Sequence, residues 1–323
     1  MEKYLITGFS GFVSKHFLNL LEMKGDPASV LGIDMHEPAF SVAQLKHVSC
    51  EFEKLDLLHS DSVQNVIYQF QPDYIIHLAS ISSVSFSWKN PILSFQNNTN
   101  IFLNILEAIR LNNIQPRILS VGSSEEYGNV NDHDIPLSEE HVLKPVSPYA
   151  VARVSQEMLS RVYAAGYGID IILTRSFNHI GPGQLDIFVI PSFAKQLVEG
   201  AQQKKNIISL RTGDLKIIRD FLDVRDVVRA YYMLLKRGRS GEVYNVCSGR
   251  GIALADILSM MARKLNVKCE TVTDMKLVRP QENMIITGSN QKLTLETGWT
   301  PEIDLETSIG DILTDWQERL MVK

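Results

Sequence analysis

A tyrosine followed one helical turn later by a cation has the spacing of a proton-transfer pair. Tyr149 lies in the run Ser-Pro-Tyr-Ala-Val-Ala-Arg, which ends at Arg153, and residues four apart share one face of a helix. A phenol ordinarily loses its proton near pH ~10, so it exchanges protons at neutral pH only where a nearby cation stabilises the phenolate. The pair is a candidate for hydride-transfer chemistry, although taken alone its spacing fits an ordinary surface helix better.

The amino terminus has the pattern of a dinucleotide-binding turn. The apolar residues 4–7 are followed directly by a glycine-containing segment and then by apolar residues at helical spacing. Gly8 would permit a tight turn, and Gly11 would let the backbone approach a pyrophosphate at the helix start. The candidate cofactor-binding residues of this turn are Gly8, Ser10, Gly11, Phe12 and Val13.

Later strand ends extend the predicted cofactor site. Asp34 ends a second strand, 23 residues after Gly11, where a carboxylate would bind both ribose hydroxyls and repel a phosphate. Asp34 therefore favours NAD(H) over NADP(H), the alternative being an exposed acid at a strand end. Asp56 and Leu57 follow another strand-like stretch and would lie near the adenine. A predicted buried strand ends in three further candidates, namely Leu78, Ala79 and Ser80.

Further blocks follow in a fixed order along the chain. They are His77-Leu78-Ala79, Asn98, Gly122-Ser123-Ser124-Glu125-Glu126-Tyr127-Gly128, Tyr149, residues 175–184, residues 219–226, Tyr244-Asn245-Val246 and Arg279-Pro280. With the glycine turn, these blocks resemble the extended short-chain dehydrogenase/reductase family, in its sugar-nucleotide branch of epimerases, dehydratases and reductases. The wording of several blocks is most similar to the GDP-4-keto-6-deoxy-D-mannose reductases, with the GDP-mannose 4,6-dehydratases as near relatives.

The resemblance implies roles for the matching residues. Ser123, Tyr149 and Arg153 would be catalytic, with Ser123 bonding the reacting sugar oxygen. Glu125 falls where the dehydratases carry the glutamate that removes the sugar C5 proton, although the same block occurs in the reductases. Asn98, Tyr149 and Arg153 would also contact the cofactor. The implied substrate-binding residues are Ser82, Ser124, Glu125, Asn178, Arg219 and Arg279, and the two arginines would pair with the diphosphate.

Two positions depart from the family pattern. Ser14 stands where the family has glycine or alanine, and Arg153 stands where it has lysine. The charge of Arg153 would still stabilise a phenolate, by about 3 kcal/mol at roughly 5 Å with an effective dielectric of about 20, but a guanidinium holds ribose hydroxyls differently from an ammonium. Reduction requires a neutral tyrosine as the acid, whereas a dehydratase or epimerase must first use it as a base. Arg153 therefore favours reduction, and a catalytically impaired nucleotide-binding homologue is a further alternative.

Composition limits the remaining classes of function. The chain has 323 residues, 45% hydrophobic content and a net charge of -5, which suits a large α/β domain with a smaller lobe. We expect no nucleic-acid partner, because there is no basic patch, and no membrane span, because no apolar run is long enough. The three cysteines lack metal-ligand spacing, so we expect no metal. The first strand begins at once, without a signal peptide, and we expect a cytoplasmic enzyme acting on a nucleotide sugar.

Alternating periodic segments predict the architecture. Strands are expected near residues 3–7, 29–34, 73–78, 117–122 and 170–175, and helices near 11–24, 60–70, 92–112 and 147–166. This alternation predicts an α/β fold, a doubly wound parallel Rossmann-type sheet with a smaller C-terminal α/β substrate-binding lobe.

The same segments suggest a division into domains. Residues 1–176, with a returning segment at about 220–248, would bind NAD, while about 177–219 and 249–323 would form the substrate-binding lobe, entered through a loop at 181–191. The family resemblance implies that the helices near residues 100 and 155 form a homodimer interface, although Ile101, Phe102 and Val151 fit an intrachain core equally well.

Overall fold

The structure is a computed structural model that describes residues 1–41, 45–277 and 283–321. The strands of these residues are β1 (Glu2–Thr7), β2 (Ala28–Asp34), β3 (Val48–Lys54), β4 (Tyr74–His77), β5 (Arg117–Ser123), β6 (Ile171–Ser176), β7 (Asn178–Ile180), β8 (Ile208–Thr212), β9 (Ile218–Asp223), β10 (Val243–Val246), β11 (Gly251–Ala253), β12 (Cys269–Thr273) and β13 (Ile285–Ile286). The α-helices are α1 (Phe12–Lys24), α2 (Ser60–Phe70), α3 (Val84–Lys89), α4 (Pro91–Phe95), α5 (Ile101–Asn112), α6 (Pro148–Tyr167), α7 (Val189–Gln202), α8 (Val224–Arg237), α9 (Leu254–Leu265), α10 (Gln291–Thr297) and α11 (Leu305–Met321).

A seven-stranded sheet forms the centre of the fold, in the order β10-β6-β5-β4-β1-β2-β3. Every neighbouring pair in it is parallel. The chain builds outward from β1 through β2 and β3, and then restarts on the other side of β1 with β4. Ligands of such sheets bind outside the carboxyl ends of the strands at this switch point, which here lies between β1 and β4.

Helices cover both faces of this sheet. One apolar cluster joins β1 and β6 to α1 and α8 through residues such as Phe17 and Tyr231. A second cluster joins the opposite face to α2 and α5 through residues such as Ile67 and Ile105. The doubly wound parallel fold predicted from the sequence is therefore confirmed, and the five expected strands lie within two residues of their predicted bounds.

A smaller set of elements packs beside the large sheet. β9 pairs with β7, β11 and β13, and β8 pairs with β12. Helices α7, α9 and α11 share an apolar cluster with these strands. Of the predicted returning segment, β10 joins the large sheet and α8 packs on it, whereas β9 belongs to the smaller sheet. The domain boundaries themselves stay a prediction.

Two predicted segments differ from the structure. The single helix expected over 92–112 is interrupted by a π-helical turn, Gln96–Asn100, between α4 and α5. The loop expected over 181–191 is shorter, because α7 already begins at Val189. Among the described residues, no helix has the length and apolarity needed to span a membrane.

Candidate active site

Tyr149 and Arg153 meet in the first turns of α6. Pro148 occupies the first helical position, and the Ser147 hydroxyl accepts a hydrogen bond from the Ala150 N–H at 3.1 Å, which caps the helix start. Both side chains are buried, and Nε of Arg153 donates to the Tyr149 phenol oxygen at 3.2 Å. The phenol proton itself is donated to no acceptor in the part of the chain that the structure describes. The predicted pair is therefore in contact, with a proton available for transfer.

The remaining guanidinium contacts of Arg153 are with the sheet and its own helix. Nη1 donates to the Val121 carbonyl at 3.1 Å and to Oε1 of Gln156 at 2.6 Å. Burial, followed by the charge of Arg153, lowers the pKa of the neighbouring His77 imidazole to about 3. His77 therefore stays neutral and, through Nδ1, contacts the Thr7 hydroxyl at 2.9 Å. It is a structural residue under the site.

Ser123 ends β5, the strand whose Val121 carbonyl accepts a hydrogen bond from Arg153 of α6. It caps a short 3-10 turn, Ser124–Tyr127, because its Oγ accepts from the Glu125 N–H at 3.3 Å and its own N–H donates to Glu126 at 2.7 Å. Within residues 1–41, 45–277 and 283–321, the Ser123 hydroxyl proton is donated to no acceptor. The turn therefore fixes the Ser123 backbone and leaves its O–H group for a ligand.

Glu126 is the buried anchor of this turn. Burial, and then the charge of Glu157, raise the pKa of Glu126 well above its usual range. Burial also acts to raise the pKa of Glu157, but hydrogen bonds from Arg175 at 2.9 Å outweigh it and hold that pKa low. A neutral Glu126 beside an ionised Glu157 avoids two buried charges of the same sign, so we read Glu126 as structural.

The turn between β1 and α1 has the geometry of a dinucleotide cradle. Gly8 has φ of +70°, and a Cβ there would lie 2.6 Å from the Ala79 backbone nitrogen. The start of α1 has no side-chain cap at Gly11, and backbone N–H groups at such a helix start can bind an anion. Ser14 is buried, and its hydroxyl donates to the Gly8 carbonyl at 3.1 Å. The serine at position 14, where the family has glycine or alanine, thus adds a hydrogen bond between helix α1 and the turn that precedes it.

Asp34 lies at the end of β2 beside this turn. Its Oδ2 accepts from the Ser10 N–H at 3.0 Å and its Oδ1 from the His36 N–H at 3.1 Å. A carboxylate has about four acceptor positions, so capacity remains for ribose hydroxyls. The observed arrangement fits a dinucleotide whose ribose reaches Asp34 and whose pyrophosphate lies at the start of α1.

The other predicted cofactor residues differ in their contacts with the rest of the protein. Asp56 accepts from the Leu58 N–H at 2.9 Å, and the Leu57 carbonyl accepts from Asn104 at 2.8 Å. The candidates that directly follow β4, namely Leu78, Ala79 and Ser80, are partly buried where the strand meets the Gly8 turn.

The amide of Asn98 binds a loop of the protein. Its oxygen accepts from the Ile81 N–H at 3.0 Å, and its nitrogen donates to the Ile81 carbonyl at 3.2 Å. Asn98 therefore holds the loop that follows β4, while its direct contact with a cofactor stays a prediction. Phe12 and Val13 also make protein contacts, the first with the His179 ring at 5.7 Å between centroids and the second with the core.

Four of the predicted substrate residues converge on one cleft. Ser124 and Glu125 come from the turn after β5, Asn178 from β7 and Arg219 from β9. Arg219 is buried, and its Nη1 donates to the Ile218 carbonyl at 2.9 Å. Ser82 is exposed in the loop before α3 and is not among the residues lining this cleft. Arg279 lies outside the described residues.

Sequence reasoning missed several residues of the site. Trp88, Ser147 and Asn283 also line the cleft, and only the folded arrangement of their segments, which are distant in sequence, reveals this. Gln156 bonds Arg153, and its position three residues later on the same helix could have indicated the contact.

The chain is similar to known proteins over nearly its whole length. A family model described as GDP-mannose 4,6 dehydratase matches residues 5–312. GDP-6-deoxy-D-mannose reductase of Pseudomonas aeruginosa is 34% identical over 322 residues, which cover 99% of this chain and 98% of that protein.

The fold of this chain is also similar to that of solved structures over nearly its whole length. RMD from Pseudomonas aeruginosa complexed with NADPH has a TM-score of 0.85 and 34% identity, covering 99% of this chain and 100% of that one. UDP-glucose 4-epimerase of Thermus thermophilus complexed with NAD has a TM-score of 0.83 and 25% identity, covering 98% and 99%. Both structures carry a nicotinamide cofactor. The resemblance noted in the sequence is confirmed by these comparisons.

Proposed function

Because this chain belongs to the GDP-mannose 4,6-dehydratase family, we propose that it is a nicotinamide-dependent oxidoreductase that reduces a GDP-4-keto-6-deoxyhexose to a GDP-6-deoxyhexose. The observation that carries the proposal is the buried pair in which Arg153 donates to the Tyr149 phenol at 3.2 Å. The 34% identical relative named a GDP-6-deoxy-D-mannose reductase supports the same substrate and direction.

The chemistry assigned to this chain is proton transfer and orientation. A bound nicotinamide supplies the hydride that the carbonyl carbon receives. Tyr149 donates its phenolic proton to the sugar oxygen, and the Ser123 hydroxyl donates a hydrogen bond to the same oxygen. Arg153 stabilises the resulting phenolate until a proton from solvent regenerates the neutral phenol of Tyr149. Because the neutral phenol is the starting state, reduction proceeds without a prior deprotonation.

We assign the substrate to the cleft between the turn after β5 and the strands β7 and β9. Arg219 would bind the diphosphate, with Ser124 and Asn178 beside the sugar. The proposed division of the chain follows, with the cofactor at the carboxyl edge of the large sheet and the sugar nucleotide toward the smaller lobe. Ser82 and Arg279 stay in the proposed substrate set from the family resemblance alone.

For the cofactor, we propose NAD(H) rather than NADP(H). Asp34 is placed beside the dinucleotide turn with both oxygens directed by backbone N–H groups. A phosphate on the adenosine ribose would be repelled by this carboxylate. The Pseudomonas aeruginosa relative binds NADPH in its solved structure, so the two proteins would differ in this preference.

The alternative function is a 4,6-dehydratase or epimerase with tightly bound NAD. Glu125 lines the same cleft as Arg219, which is where a carboxylate would remove a sugar proton. A catalytically impaired nucleotide-binding homologue is the lesser alternative. A reductase consumes NADH in step with product, the alternative enzymes recycle NAD, and a binding protein turns nothing over.

We further propose a homodimer in the cytoplasm. Val151, Met158 and Val162 form an exposed apolar stripe along α6, as expected of a helix face that pairs with a second copy. By contrast, Ile101 and Phe102 are buried within the chain's own core. The cysteines Cys50, Cys247 and Cys269 are all unpaired in the structure, which suits a reducing compartment.

The test is mass spectrometry of the sugar nucleotide after incubation with NADH and GDP-4-keto-6-deoxymannose. A gain of two hydrogens, matched by loss of NADH, supports the reductase. An unchanged mass, together with loss of water from GDP-mannose in the presence of NAD, supports the dehydratase. Nucleotide binding without either reaction supports the catalytically impaired, nucleotide-binding homologue.

A further inference from the structure

Gln156 is the neighbour of Arg153 on the next turn of α6. It is fully buried, and its Oε1 accepts from Nη1 of Arg153 at 2.6 Å. A hydrogen bond of this length to a charged donor is of the strong, charge-assisted type. Gln156 does not reach the phenol itself, so any effect on the site passes through Arg153.

The orientation of the Gln156 amide is fixed by the sheet. Nε2 donates to the Ser120 hydroxyl at 2.9 Å and to the Val121 carbonyl at 3.2 Å. In the reverse orientation, the amide oxygen would face the Val121 carbonyl and the amide nitrogen would face the guanidinium, so acceptor would oppose acceptor and donor would oppose donor. Oε1 is therefore held toward Arg153. Ser160 completes the cluster by donating to Ser120 at 3.0 Å.

These contacts fix the plane of the guanidinium. With Nη1 held by Gln156 and Val121, Nε is directed at the Tyr149 phenol. Nη2 donates to no acceptor in the described ranges and is the donor left for a ligand hydroxyl. A lysine has one compact nitrogen with no plane to orient, so the need for such a holder arises with arginine.

We propose that Gln156 is a positioning residue that adapts this site to arginine at position 153, by holding the guanidinium so that it serves both the Tyr149 phenol and the ribose next to the nicotinamide. The inference rests on the proposed use of a nicotinamide cofactor. It assigns to Gln156 no contact with substrate or cofactor.

The test compares NADH and ADP binding in four proteins: wild type, Gln156→Leu, Arg153→Lys and the double variant. ADP lacks the nicotinamide ribose, so it reports the rest of the nucleotide site. Gln156→Leu should weaken NADH binding by about tenfold or more, the worth of a hydrogen bond to a charged group, and leave ADP binding unchanged. In the Arg153→Lys protein, the same leucine should have little further effect on NADH binding.

Two results would overturn the inference. One is an equal loss of NADH and ADP affinity in Gln156→Leu. The other is a loss of NADH affinity on Gln156→Leu that is equally large with arginine and with lysine at position 153. Either result would indicate that Gln156 has a purely structural role. Ser160→Ala is the matched control, because it disturbs the same buried cluster without removing a bond to Arg153, and it should bind NADH as wild type does.

A second variant covers the case in which leucine prevents folding. Gln156→Met keeps the length of the side chain but lacks the acceptor oxygen, so it should weaken NADH binding by about tenfold or more and leave ADP binding unchanged, whereas NADH binding like that of wild type would contradict the inference. Turnover is measured separately with GDP-4-keto-6-deoxymannose at saturating NADH, where Gln156→Leu should lower kcat and leave the sugar KM unchanged. If the predicted NADH and ADP pattern occurs without turnover in wild type, the positioning role stands and the proposed reduction fails.

Discussion

At the scale of single residues, the proposed proton donor is one phenol with one cation beside it. We predict that Tyr149→Phe lowers kcat by about 10²- to 10⁴-fold, the usual contribution of a positioned acid, because no proton remains to be donated. NADH affinity should change little, since the aromatic ring stays. Steady-state kinetics and NADH titration measure the two effects.

The control for this variant lies on the same helix. Tyr167 is exposed near the end of α6, and Tyr167→Phe should keep the wild-type kcat. Turnover by Tyr149→Phe at the wild-type rate would remove the tyrosine from the mechanism.

Cofactor choice also depends on one residue. We predict that Asp34→Asn lowers the ratio of kcat/KM for NADH over that for NADPH by at least about tenfold, because removing the charge removes the repulsion of the 2′-phosphate. The ratio is measured for both cofactors at one salt concentration. Asp61→Asn, an exposed acid at the start of α2, should leave the ratio unchanged. A wild-type protein that already prefers NADPH would contradict the account.

Spacing along the sequence makes the contacts of some of these residues predictable, but it gives no indication of the contacts of others. Tyr149 and Arg153 are four residues apart on one helix, so their contact follows from helix geometry. Asn98 bonds Ile81 across 17 residues, and no local pattern indicates that partner. The raised pKa of buried Glu126 depends in part on the charges of Glu157 and Arg175, which come from two other elements.

At the scale of elements, the turn between β1 and α1 must pass close to the end of β4. We predict that Gly8→Ala abolishes NADH binding and lowers the free energy of unfolding by about 2 kcal/mol or more, because its Cβ would meet the Ala79 backbone. Urea unfolding and NADH titration are the measurements.

Gly25 provides a matched control for the backbone strain. It has φ of +75°, but a Cβ there would have nothing within 4 Å. Gly25→Ala should therefore cost only about 1 kcal/mol and keep NADH binding. If both alanine variants bind NADH equally well, the close approach at Gly8 is not required.

Element boundaries show where sequence patterns stop being sufficient. Residues 92–112 read as one helix because apolar residues lie on both sides of the polar run 96–100 and no Gly or Pro interrupts them, yet the path contains the π-helical turn Gln96–Asn100. This turn places Asn98 against the loop after β4, and such an insertion depends on a partner that helix periodicity does not contain.

At the scale of the whole molecule, the exposed stripe on α6 predicts self-association. We expect Val162→Glu to convert a dimer to a monomer, because a charge on the stripe would be buried without a partner. Sedimentation of both proteins at equal concentration measures the change. Val142→Glu places the same charge at an exposed valine outside α6 and should remain dimeric. A monomeric wild type would contradict the proposal.

The sequence indicated the large sheet more fully than the smaller lobe. The five predicted strands of the sheet, β1, β2, β4, β5 and β6, are separated by segments that contain helices, so parallel pairing follows from the pattern. By contrast, β7, β11 and β13 have only three, three and two residues and come from distant segments to pair with β9. Their pairing is set by long-range contacts, and so is the cleft that joins Arg219 to Glu125.

Hydride transfer from the nicotinamide to a sugar carbonyl can be followed with NADH deuterated at the transferable position. The product from GDP-4-keto-6-deoxymannose would be analysed by mass spectrometry and NMR, with Tyr149→Phe as the parallel reaction. We predict deuterium on the sugar C4 in wild type, in proportion to the NADH consumed, and almost none with the variant. Wild-type product without deuterium, or NADH that persists while the sugar changes, would contradict the proposed reduction.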